Sequence, residues 1–401
     1  MRYVSPILDD AKRDWNHGRG KILLAIAAGW ALSIGVRLGY PVLLPYLQVA
    51  YDLTFTTAGL LLTVLWLAYA LGQLPGGLLA DRIGEGRTMV ASMATAAITL
   101  ALVVMGGPSV VLFLATALFG FGTALFGVVR LSALSDVYPD RLGTAFGLIS
   151  AAGDVGNTLI PPAAGVIAAL TVWQLGFGVA IPLYALVAVA CWIVVPARTS
   201  GSGNAGATLS LDSARHVLSG LHTPAITLVL AIQILGVLIW NAFTGFYPTY
   251  LIEVKGLSAS VASAVFALFF ALGIVIKPIS GNGYDRVGAR YSLLLVTGIS
   301  GAALVVLPLV DGFWTLIAVT ALLSAMLGRG TIALSYVTDA LPGDILNTGL
   351  GTLRTTYMTI GAAGPVVFGA IADRGFFDEA FLLLAVLSGL TLVLIWWLPE
   401  Q

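Results

Sequence analysis

Four ionisable side chains stand inside long apolar stretches of this sequence: Arg37 in Gly35-Val-Arg37-Leu-Gly39-Tyr40-Pro41, then Arg130, Asp154 and Arg329. A charge surrounded by hydrocarbon is costly, so each is a candidate for function. Three are arginines. A guanidinium offers a rigid fork of N–H donors that fits a carboxylate or phosphate, and it cannot shed its proton to escape burial. Three arginines against one such acid favour anion binding. Asp154 is a candidate proton-coupling group, because burial favours a neutral carboxyl and a neighbouring guanidinium the charged form. Structural alternatives are specific: Arg130 and Asp154 neutralise each other between adjacent elements, and Arg329 pairs with a backbone carbonyl or with Asp339. For any single arginine the two readings are level; the unexplained excess of positive charge over the set favours the anion.

Aromatic and amide side chains could shape a cavity around these charges: Trp30, Tyr40, Gln233, Trp240, Asn241 and Tyr357. Each alone is more often packing than a ligand contact. Cys191 is the only cysteine, and His17, His216 and His222 fall in polar segments, so no metal site, cofactor or internal disulfide is expected. No GxxxxGK[ST] phosphate loop is present, which leaves ATP-driven transport without support. The chain is not expected to be an enzyme.

The elements that position these residues are long and apolar. Hydrophobic residues make up 59% of the 401 and charged ones 9%, against about 25% charged in soluble domains. Twelve apolar runs are long enough to cross a bilayer: 21–46, 54–79, 87–106, 109–136, 142–170, 175–196, 224–249, 258–279, 289–310, 313–339, 346–371 and 377–398. None alternates with the period of two that a barrel strand needs. The chain therefore reads as an all-α membrane protein of twelve transmembrane helices. Residues 1–20 are charged, with no cleavage site, and read as a cytosolic tail. Lys and Arg concentrate on one side: Arg2, Lys12, Arg13, Arg19, Lys21, Arg82, Arg87, Arg141, Arg198, Arg215, Arg286 and Arg290 face Lys255 and Arg374 on the other. That asymmetry puts both termini in the cytosol. Net charge is zero, and nothing suggests a nucleic-acid partner.

The Gly- and Ser-rich stretch 197–223 reads as a flexible linker between two halves, 21–196 and 224–401. The halves repeat. Gly77-Leu-Leu-Ala-Asp81-Arg82-Ile-Gly84 recurs as Gly281-Asn-Gly-Tyr-Asp285-Arg286-Val-Gly288, and Pro45, Asp136 and Gly165 keep nearly the same offset to Pro248, Asp339 and Gly369. Two pseudo-symmetric six-helix bundles with a substrate path between them follow from such a duplication. Gly77 and Gly84 would allow a tight turn, with Asp81 capping the next helix or pairing with Arg82 or Arg87.

These loops, closed by Arg87 and Arg290, resemble the signature of the major facilitator superfamily. Asn157 to Gly165 in span 5 and Gly361 to Gly369 in span 11 resemble its Gly/Pro-rich packing motif. The resemblance covers the whole chain. It implies alternating access, a cavity lined by spans 1, 4, 7 and 10, and a cytosolic gate of Gly77, Asp81, Arg82, Gly84 and Arg87 with Asp136 and Arg354, repeated by Asp285, Arg286, Arg290 and Asp339. That charge network braces the outward-facing state in the family. Arg37 eight residues before Pro45, with Arg130 in span 4, also resembles the organic-anion branches, the anion:cation symporters and organophosphate exchangers. The expected function is secondary transport of a small organic anion, a carboxylate or phosphate ester, across the cytoplasmic membrane. It is coupled to protons or a counter-solute, in a monomer held in the lipid bilayer. The rivals are an exporter of hydrophobic or cationic compounds, for which three central arginines are poor hosts, and a non-transporting sensor or lipid-handling protein.

Overall fold

Hydrocarbon offers the backbone no hydrogen-bonding partner, so each apolar run must close its N–H and C=O groups on itself. In the computed structural model, which describes residues 19–199, 223–341 and 346–399, every apolar run is helical. The three histidines, residues 1–18 of the expected tail and most of the linker lie outside the described residues.

Spans 1 to 5 are the single helices Arg19–Tyr51, Phe55–Ile83, Glu85–Met105, Ser109–Val137 and Leu142–Leu170; span 6 is Trp173–Gly178 followed by Ala180–Val194. Span 7 is Pro224–Glu253 and span 12 is Phe377–Trp396. Thr54, Thr223 and Ser258 cap helix starts through their hydroxyls.

Spans 8 and 9 form one helical stretch, Ala259–Val306, interrupted at Gly288 with φ 80° and ψ 172°. A straight helix of that length would run about 70 Å. Instead Lys255 Nζ, just before it, reaches Pro308 O at 3.1 Å and Asp311 Oδ1 at 3.0 Å, just after it. The stretch therefore doubles back at Gly288. Span 10 runs Phe313–Leu323 and Gly328–Ala340, joined by the 3-10 segment Ser324–Leu327, and span 11 is broken into Leu346–Gly361 and Gly364–Ala372.

Ten helices among the described residues are long and apolar enough to cross a membrane. Ala259–Leu309 accounts for two crossings. Leu142–Leu170, interrupted in character by Asp154, Asn157 and two prolines, supplies the twelfth.

Small residues let the helix backbones approach. A Cβ at Gly35 would meet Gly156 O at 2.6 Å, and one at Gly120 or Gly156 would run into the backbone of Leu65 or Ala31. Spans 1 and 5, and 2 and 4, pair in this way within the first half. Between halves, span 2 lies along span 11, span 5 along span 8 and span 1 along span 7.

Candidate functional site

Trp30 and Arg37 are two turns apart on span 1, and Trp66 and Tyr69 one turn apart on span 2, so each pair shares a helix face. The faces meet. The Arg37 guanidinium lies 3.9 Å from the Tyr69 ring centroid and 5.9 Å from those of Trp30 and Trp66, while the Arg130 guanidinium of span 4 lies 3.7 Å from the Trp30 centroid. Ring faces attract cations, so Trp30, Trp66 and Tyr69 hold two guanidiniums where no carboxylate does. Arg37 is 1% exposed, and its Nε and Nη1 have no hydrogen-bond partner; Nε of Arg130 has none either. The charge of Arg354, on span 11 of the other half, acts on Arg37, Arg130 and Tyr69. Two buried guanidiniums and the half-buried Arg354 thus act on one region without a described acid.

The other expected cavity residues divide. Tyr357 lies against Gln233 and within electrostatic reach of Arg354 and Arg329. Arg329 is pressed against the backbone of Gly236, and among the described residues neither a backbone carbonyl nor Asp339 bonds it. Asp339 accepts instead from the Tyr284 hydroxyl. Asn241, the repeat counterpart of Arg37, is taken up in packing: its Nδ2 donates to Gly361 O at 3.1 Å. Trp240 packs against Phe269 and Phe270, and Tyr40 against Phe119 and Phe177, with Thr116 at its hydroxyl.

Asp154 does not pair with Arg130. It forms an ion pair with Lys277 of span 8, which links the two halves; the side chains are 18% and 34% exposed. Lys277 falls near the end of an apolar run and shows no sequence sign of a partner.

The two ends of the molecule differ. At the end bearing Lys255 and Arg374, the far end, Asp373 Oδ1 and Oδ2 accept from Phe55 N at 2.6 Å and Thr56 N at 2.8 Å. A carboxylate from one half thereby caps the N-terminus of a span in the other, where the helix dipole favours negative charge. Beside it, Val366 N donates to Thr63 Oγ1 at 3.2 Å, and Gly59 and Gly369 admit the backbones of Pro365 and Phe55.

At the end carrying both loop motifs, no hydrogen bond or ion pair among the described residues joins the halves. Asp81, Arg82, Arg87, Asp136, Asp285, Arg286 and Asp339 are exposed. Asp285, Asp339 and Tyr284 line a cleft of about 700 Å³, and Arg290 stacks on Trp396 at 4.6 Å. Asp136 accepts from the Thr199 hydroxyl at 2.7 Å rather than meeting Arg354, and Arg198 donates to Asp81 O and Arg82 O. The expected cap also differs: span 3 starts on Gly84 with no side-chain cap bond, so Asp81 does not serve. Gly77 lies inside span 2 with open space around it; the turn is made by Gly84, φ 94°, over which Ala197 passes too closely for any side chain. The halves are latched at the far end, a contact with no described counterpart among the loop-motif residues.

Twelve apolar spans in two sequence-related sets of six, packed around buried charges, define a multi-pass membrane carrier fold. The model of the Major Facilitator Superfamily matches residues 22–331 and 260–401, and the chain belongs to that superfamily. It is similar to the hexuronate transporter of Bacillus subtilis, 23% identical over 87% of this chain and 88% of that protein. It is likewise similar to the fosmidomycin resistance protein of Escherichia coli, 26% identical over 95% and 93%. Among solved structures, a bacterial homologue of the human lysosomal transporter Spinster, inward-facing and occupied, superposes with a TM-score of 0.79 at 16% identity, over 94% of this chain and 96% of that one. The protein is a multi-pass membrane transporter of a small solute, not an enzyme.

Proposed function

We propose that the chain moves a small organic anion across the cytoplasmic membrane by alternating access, with the motif end and both termini in the cytosol. One observation carries this: Arg37 and Arg130 flank Trp30, buried, with unpartnered N–H donors and no acid to neutralise them. An anion entering from the motif end would replace lost water around both guanidiniums and draw in Arg354. Resemblance to a hexuronate transporter supports a sugar-acid-like carboxylate. The Asp154–Lys277 pair supplies the coupling: a proton on Asp154 dissolves the ion pair between halves, and its loss restores it. The loop motifs with Asp136 and Arg354 brace the opposite state, after Arg354 has left the central group.

The test is uptake into proteoliposomes with a panel of sugar acids, phosphate esters and lipophilic cations, with and without a pH gradient. Anion flux should fall at least tenfold in Arg37→Ala and Arg130→Ala, since each removes a charged hydrogen-bonding partner worth about 1.5–3 kcal/mol. Unchanged flux in both variants overturns the reading. Similarity to the fosmidomycin resistance protein supports a second reading, export of a drug-like compound; in that case the same liposomes show flux of the lipophilic compounds and none of the sugar acids.

A further inference from the structure

The second half holds a cation that this carrier mechanism leaves unused. Arg329 is 8% exposed, its Nε has no hydrogen-bond partner, and no ion pair reaches it among the described residues. Tyr357 is the one ionisable group whose charge acts on it. Its place is built: Gly236 on span 7 leaves room that any side chain would take from Nη1 and Cζ. Arg329 also lines a narrow internal cavity with Ile239, Val296, Thr297, Ser300 and Ser388, contributed by spans 7, 9, 10 and 12. The Thr297 hydroxyl, in a residue 4% exposed, has no partner either. Ser300 donates to Val296 O at 2.8 Å, whereas Ser388 reaches Thr297 O only at 3.4 Å and is free to turn.

The residues around this cavity therefore include buried unpartnered donors and an uncompensated positive charge. A guanidinium cannot neutralise itself, and a buried charge without a counter-charge costs several kcal/mol. Water would satisfy the hydrogen bonds but not the charge. We infer that the cavity binds a small inorganic anion of halide size, held by Arg329 and the Thr297 hydroxyl, inside the second half and separate from the Arg37–Arg130 group. Such an ion fixes spans 7, 9, 10 and 12 as one body, the property a rocking half requires.

The test is thermal unfolding of the purified full-length protein in chloride, bromide and gluconate at equal ionic strength. Wild type and Arg37→Gln should both gain stability saturably with chloride or bromide, and Arg329→Gln should lose that gain. If Arg329→Gln does not fold, Thr297→Val decides, with an apparent halide affinity lowered by roughly tenfold for one hydrogen bond to a charged group. Bromide should give an anomalous diffraction peak beside Arg329. No saturable halide effect in wild type, an undiminished one in Thr297→Val, or one lost in Arg37→Gln overturns the inference. Halide stabilisation without organic-anion flux would leave it standing and remove the carrier reading instead.

Discussion

A lysine and an arginine carry the same charge, and the group around Trp30 distinguishes them. Arg37 rests a planar face 3.9 Å from Tyr69 while two of its nitrogens stay unpaired. Lysine supplies one point charge, with no face and no fork. Arg37→Lys should therefore keep transport but raise KM for the anion about tenfold, roughly 1.4 kcal/mol, with kcat nearly unchanged; an unaltered KM in uptake assays would show that the fork does not touch substrate. Arg37 and Arg130 stood out in the sequence because a charge inside an apolar run is costly, whichever role it serves. Trp66 and Tyr69 were not, since an aromatic ring in such a run looks like packing until a guanidinium is seen on it. At Asn241 the repeat fixes backbone position, not chemistry: one N–H of its amide goes to Gly361 O. Lys277 was hidden because only folding brings span 8 to Asp154.

At the scale of elements, the helices themselves follow from apolar length, while the contacts that make them move depend on which backbone faces which. Asp373 is such a contact. Burial pushes its pKa up, but donation from Thr56, Thr54 and Phe55 pulls it down further, leaving it below the ordinary aspartate value. Parting the far end would return it to that ordinary value, about 4. Closure is thus favoured in full above pH 4, and the preference fades as pH falls through the lowered value of the latched state. Arg374 beside it is engaged on Ala370 O and Asp378 on the Tyr250 hydroxyl, so neither replaces it. Asp373→Asn should shift the equilibrium at neutral pH toward an open far end by up to about fivefold, near 1 kcal/mol. Electron–electron resonance between spin labels at Val49 and Glu379 would read the change, and identical distance distributions in both proteins would refute the latch. Glycines give an independent lever. A methyl at Gly59 or Gly369 meets the backbone of the other half only when the far end is closed, whereas Gly77 has free space. Gly59→Ala and Gly369→Ala should lengthen the same label distance, with Gly77→Ala as an unaffected control.

For the whole molecule, the duplicated loops and the length of the apolar runs already implied two halves with a path between them, and the sequence put Asp154 forward as a proton-coupling group without revealing its partner. The Asp154–Lys277 pair crosses between halves and is only partly buried, so two roles compete: a strut, or a strut that a proton can release. Single variants do not separate them. Asp154→Asn leaves a lysine without its counter-charge, a cost of up to about 3–5 kcal/mol if fully buried and less here, so the protein weakens under either role. Removing both charges restores balance. If the pair is only a strut, Asp154→Asn with Lys277→Gln should regain most of the unfolding temperature lost in the single variant and recover uphill uptake together with it. If Asp154 carries the proton, the double variant should regain the same temperature and exchange anion for anion at near wild-type rate, yet fail to accumulate anion under an imposed pH gradient, because the carboxylate that takes up the proton is gone. Uptake with and without the gradient, measured beside thermal unfolding, tells these apart, and accumulation by the double variant would take Asp154 out of the coupling mechanism while leaving the arginine site untouched.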